Sequence, residues 1–156
     1  MNKNFRGLTL IEIVIAMGIL SIILTFGSLW QQKIRQTSFS LERNAELIKL
    51  ILESTKEMAL TGEKHSNWGT YFLNNSGKPD NIFIFQGDTF SSSSIYKTFT
   101  LSGDIDFNNI SSATSVVFQL WSGTISATTT ISIKSLTSNK IANINIYPSG
   151  KIEIVY

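Results

Sequence analysis

Between Leu8 and Trp30 the chain carries a single charge, Glu12, among apolar and small residues. As a helix that run reaches about 35 Å, enough for a hydrocarbon core of about 30 Å. A short basic stretch with Lys3 and Arg6 precedes it, and Lys33 and Arg35 follow, so charge bias sets no orientation. A cleaved secretory signal would have a shorter apolar core and a small-residue cleavage site. This run is longer and continues without a turn, which predicts a retained membrane helix.

Beyond Trp30 the pattern becomes amphipathic. Leu41, Ala45, Ile48, Leu52, Thr55 and Ala59 recur at alternating steps of four and three, with Ile34 one heptad earlier. Glu42, Arg43, Glu46, Lys49, Glu53, Lys56 and Glu57 fall between them and predict a wet outer face. No proline interrupts Met1 to Lys78, and Thr61-Gly62 is a stop signal. A helix from Leu8 to Leu60 would be about 80 Å long. No small domain buries that length alone, so membrane, head and neighbouring chains must share it.

From residue 61 the texture is β. Strands are predicted at Asn81–Gln86, Ile95–Leu101, Ser115–Trp121, Thr130–Lys134, Ile141–Tyr147 and Lys151–Tyr156, several alternating apolar and polar. Pro148-Ser149-Gly150 reads as the hairpin turn joining the last two. Between Ser111 and Ser138 half the residues are Ser or Thr, but the interleaved Val, Ile, Phe and Trp favour strands over low complexity. The expected fold class is α+β: a leader (1–7), a membrane and filament-core helix (8–30), its amphipathic continuation (31–60), and a β-rich head (61–156) built on an antiparallel sheet.

Composition narrows the chemistry. There is no cysteine, which excludes disulfides, thiolate metal sites and a cysteine nucleophile, and the single histidine, His65, leaves little for a zinc site or a triad. The formal charge is +2, and the head balances six lysines against six carboxylates, which argues against nucleic acid as a partner. No cofactor, metal site or enzymatic activity is expected.

Glu12 decides the functional reading. A carboxylate inside a membrane span costs about 2.5–3.5 kcal/mol even on the gentlest insertion scale. Near the helix N-terminus it reaches towards the interface and the dipole eases it. An intramembrane charge nonetheless asks for a partner. Gly7-Leu8-Thr9-Leu10-Ile11-Glu12, behind a basic leader and heading a long apolar helix, resembles the cleavage and methylation motif of the type IV pilin and pseudopilin family. Leu8 departs from the phenylalanine usual at that position.

The resemblance implies cutting between Gly7 and Leu8 by a prepilin peptidase, N-methylation of Leu8, and assembly through Thr9, Leu10, Ile11 and Glu12. It implies a structural filament subunit that waits in the cytoplasmic (inner) membrane with its head outside the cytoplasm. Its partners would be other pilin or pseudopilin subunits, a membrane platform protein, an assembly ATPase and the lipid bilayer. Lacking a nucleotide motif, this chain would be cargo rather than motor. Gly18, Ser21, Thr25, Gly27 and Ser28 would permit close helix packing. The cysteine-free head and the terminal hairpin look like H-type pseudopilins or minor pilins. The alternative is a DNA-uptake minor pilin whose fold gathers Lys134, Lys140 and Lys151.

Other motifs are weaker. Ser94 and Lys97 have the spacing of a serine–lysine pair, yet Ile95 onward reads as strand rather than the helix that pair needs. Asp104-Ile-Asp106-Phe-Asn108 starts like a calcium loop, but Asn109 and Ser115 occupy its glycine and glutamate positions; its alternation suits a half-buried edge strand. Asn74 and Asn109 head glycan acceptor triplets. Lys64, His65, Asn67 and Trp68 are expected to pack beneath the head, and Val116, Phe118 and Trp121 to enter the core.

Overall fold

The computed structural model describes residues 10–76 and 79–156; for residues 12, 13 and 23–38 it describes the backbone alone. A helix, α1 (Leu10–Leu60), precedes eight strands. Contacts divide the chain into two units, residues 1–36 and 37–156.

The second unit contains the last turns of α1. The amphipathic stripe is buried as its spacing predicts: Leu41, Ala45, Ile48, Leu52, Thr55 and Ala59 are inside, joined by Ile51. Each fully buried Leu or Ile contributes about 1.5–3 kcal/mol. Glu42, Glu46, Glu53 and Glu57 stay in water. The helix ends where Gly62 turns left-handed at φ 68°. The backbone N–H groups of Thr61 and Trp121 donate to the carbonyls of Glu57 and Ala59, at 2.9 and 3.0 Å. These two bonds satisfy part of the carbonyl set every helix end leaves open.

Two four-stranded antiparallel sheets cover the stripe, rather than one. The strands are β1 (Trp68–Leu73), β2 (Asn81–Gln86), β3 (Ile95–Thr100), β4 (Ile105–Phe107), β5 (Ala113–Phe118), β6 (Thr129–Ser135), β7 (Ile141–Ile146) and β8 (Ile152–Val155). The first sheet is ordered β3-β2-β1-β5 and the second β4-β6-β7-β8. Register in the first sheet opposes Thr70 to Ile84 and Val116, and Phe72 to Ile82. Those inward residues, with Trp68 and Phe118, join the helix in one core with Ile105, Ile131, Ile133, Ile144 and Ile146 of the second sheet. Within that core the Thr70 hydroxyl donates to the Thr55 hydroxyl at 3.0 Å, and Thr55 donates to the Ile51 carbonyl at 2.8 Å. Both buried hydroxyls are thereby satisfied.

Two expectations are corrected. β1 is a central strand that lies in none of the predicted segments. Trp121 lies beyond the end of β5 in a turn, left-handed at φ 65° and 60% exposed, so it is not a core residue. Its ring lies over Gly62, where a Cβ would fall 2.1 Å from the indole.

The β7–β8 turn is fixed from outside. Gly150 sits at φ +74°, a Cβ there would come within 2.2 Å of the Gly123 carbonyl oxygen, and Lys56 Nζ donates to the Gly150 carbonyl at 2.9 Å. Strained φ and backbone overlap act together, so Gly150→Ala is expected to cost about 3 kcal/mol. The midpoint of thermal unfolding of the full chain in detergent measures it; an unchanged midpoint contradicts the expectation.

Candidate functional site

The first unit carries the features that seek partners. Leu10 is 82% exposed, and Ile11, Val14, Ile15, Met17, Ile19, Leu20 and Ile22 are all more than half exposed. Such a surface marks an interaction site once it exceeds a few hundred Å². Of the residues expected to act in processing and assembly, Leu10 and Ile11 lie on this surface. Gly7, Leu8 and Thr9 fall outside the described residues, as does the Glu12 side chain. Among the described residues, no helix is long and apolar enough to cross a membrane. The side chains of residues 23–30, the second part of the expected span, lie outside the described residues.

The head turns each secondary motif into structure. Asn74 Nδ2 donates to the Ile110 carbonyl at 2.7 Å, and Asn109 Nδ2 to the Thr130 carbonyl at 2.6 Å. Both candidate glycan acceptors thus spend their amides on backbone. Ser94 closes a 3₁₀ turn: its hydroxyl donates to the Ser91 carbonyl at 2.8 Å. Lys97 stands on β3 with its ammonium 5.0 Å from the Phe99 ring centre. No serine–lysine alignment results. Residues 105–107 form a strand, and Ser40 Oγ donates to Asp104 Oδ2 at 2.5 Å. Among the described residues no cluster of His, Asp and Glu could hold a metal.

Lys134 and Lys140 lie near each other at one end of β7, where the Lys140 carbonyl accepts from the Ser135 N–H at 2.9 Å, but Lys151 does not join them. Lys134 pairs across from Ile141 at one end of β7, whereas Lys151 adjoins the turn at the other end, about 20 Å away. Lys151 forms an ion pair with Glu153, which also accepts from the Tyr147 hydroxyl at 3.0 Å. The Lys151 bond, then the Tyr147 bond, hold the Glu153 carboxyl below its ordinary range. That small contribution is present at neutral pH and fades as pH falls through the lowered Glu153 value.

Sequence reasoning missed two polar hubs. Asn67, expected only to pack, accepts from the Leu120 N–H at 2.6 Å through Oδ1 and donates to Asp88 through Nδ2. Asp80 is fully buried, accepting from the N–H groups of Asn75 at 2.9 Å and Phe107 at 3.2 Å. Neither shows a periodicity that would reveal it.

Residues 2–28 match the prokaryotic N-terminal methylation motif. No curated protein matches the chain. Its fold is similar to the type IV minor pilin FimU of Pseudomonas aeruginosa (strain PAO1), known in two crystal forms. One matches with a TM-score of 0.58 at 14% identity, over 74% of this chain and 93% of that one. The other gives 0.57 at 14% identity, over 74% and 88%. The N-terminal helix followed by antiparallel sheets is thus similar in fold to that protein. The N-terminal motif and the fold are each similar to those of type IV pilin-family proteins.

Proposed function

We propose that this chain is a structural subunit of a type IV pilus-like or type II secretion pseudopilus filament, cut between Gly7 and Leu8 and assembled through its N-terminal helix. The observation that carries this reading is the methylation motif at residues 2–28, followed by a helix whose described apolar side chains, among them Leu10, Ile11, Val14, Ile15 and Met17, are more than half exposed. Two surroundings would cover them in turn. The subunit first waits in the inner membrane with Leu8–Trp30 in lipid and the head outside the cytoplasm. It then packs against neighbouring pilin or pseudopilin helices.

Exchanging lipid for protein yields little hydrophobic gain, because lipid tails are as apolar as leucine. Electrostatics therefore supplies the selectivity. Cleavage by the prepilin peptidase frees an ammonium at Leu8, and Glu12 of one subunit meets that ammonium on a neighbour. Extraction is driven by a cytoplasmic ATPase through a platform protein. Intact mass and N-terminal sequencing of membrane-extracted protein test the reading. A methylated chain starting at Leu8 is expected; a chain still starting at Met1, in cells with active prepilin peptidase, overturns it.

A further inference from the structure

The two sheets end in four edges, and three are guarded. β3 carries Lys97 and a register break at Ile84/Phe85. β4 has three residues. β8 has four, and Lys56 Nζ holds the Gly150 carbonyl just before it. Bulges, lysines and shortness are the usual devices against strand addition. β5 has none: Ala113-Thr-Ser-Val-Val-Phe118 is six residues long, uncharged, proline-free and in unbroken register with β1.

The direction of its backbone groups follows from that register. Asn74 N–H donates to the Ser112 carbonyl, one step beyond the Leu73–Ala113 pair, so 74/112 is a hydrogen-bonded pair. Such pairs alternate in an antiparallel ladder. Thr114, Val116 and Phe118 therefore bond to β1, while Ser115 and Val117 aim their N–H and C=O groups away from it. Gln119 continues this series, and its N–H donates outward to the Thr124 carbonyl at 2.9 Å. Among the described residues, no backbone bond between Ser115 or Val117 and a segment other than β1 occurs.

Ser115 and Val117 also line a groove of about 320 Å³. Ile125, Ser126, Ala127 and Thr129 line it as well, Val116, Val117, Ile125 and Ala127 are its apolar residues, and Asp88 is the one charged residue among its described lining. A row of alternating donors and acceptors at two-residue spacing is matched by one chemistry, the backbone of another extended chain. Asp88 lies at the Gln119 end, since Asn67 Nδ2 donates to both residues.

We propose that the free edge of β5 is a docking site for an extended polypeptide segment that adds antiparallel to it. The segment has small alternating side chains and a cation at its N-terminal end opposite Asp88. This proposal stands apart from the filament reading, since it depends only on the head.

The test uses the full chain in detergent and a synthetic peptide, acetylated and amidated, Lys-Thr-Val-Ser-Val-Thr. A second peptide of the same sequence is N-methylated on the amides that would face β5. Hydrogen exchange at Ala113–Phe118 is followed with peptide up to about 2 mM. The first peptide is expected to slow exchange there and the methylated one is not. Val117→Pro removes one outward donor without touching the β1 ladder and is expected to weaken binding about tenfold. Asp88→Asn is expected to weaken it about threefold. The proposal is overturned if neither peptide protects β5 or if both protect it equally. It is also overturned if a folded Val117→Pro variant binds as the parent does. Should Val117→Pro fail to fold, the comparison of the two peptides decides alone.

Discussion

Glu12→Ala is expected to leave cleavage after Gly7 intact and to reduce incorporation into filaments by about two orders of magnitude or more. In the proposed filament, the substitution strands the neighbour's Leu8 ammonium in apolar surroundings. Breaking one side of a buried pair costs about 3–5 kcal/mol. In the membrane the effect has the opposite sign. Removing a carboxylate from the span relieves about 2.5–3.5 kcal/mol, so the variant should accumulate there as mature protein. A general folding defect would instead lower both pools. Immunoblots of sheared filaments and of membranes, with N-terminal sequencing of each, separate these cases. Parental levels in the filament fraction would remove Glu12 from assembly.

What could be read from sequence, and what could not, follows from how many faces an element buries. The stripe from Leu41 to Ala59 was legible because one side of α1 is dry and the other wet, which a period of 3.6 records. Asn81–Gln86 was legible to the residue, since Ile82 and Ile84 face the helix core while Phe83 and Asn81 are half-buried on the other side. β1 was not. Trp68, Gly69 and Thr70 are buried in succession, so alternation vanishes, and Gly69 lowers strand propensity in the middle. Trp121 misled for a different reason: three positions beyond Phe118, it is out of phase with the two-residue repeat, and its N–H belongs to the helix cap.

Pairing was less legible than strand position. β5 bonds to β1 rather than to β4 or β6, its neighbours in sequence, and nothing in Ala113–Phe118 names that partner. The division into two sheets follows from this crossover. At the N-terminus the balance reverses: the motif from Gly7 to Glu12 is read from sequence, and its geometry in the proposed filament would be set by contacts with other subunits.

The second large effect is expected at Asp80. Asp80→Ala should destabilise the full chain by about 3–5 kcal/mol, lowering the thermal midpoint by about 6–15 °C. The carboxylate is fully buried and joins separate pieces: Oδ1 accepts from Asn75 in the β1–β2 connection, and Oδ2 from Phe107 on β4 of the other sheet. Its own carbonyl accepts from Leu101 at the end of β3, at 3.0 Å. Alanine keeps that last bond and leaves two N–H groups without an acceptor, each costing about 1–3 kcal/mol where water is excluded. Asp80→Asn retains one side-chain acceptor but turns an amide N–H₂ towards the second N–H, so it should recover about half the loss. The damage should be local first, with amide exchange accelerating at Asn75 and Phe107 before the buried turns of α1 between Leu41 and Ala59. A midpoint within about 2 °C of the parent, which corresponds to less than about 1 kcal/mol, would mean that water replaces the carboxylate and that the two sheets are held together by the apolar core alone.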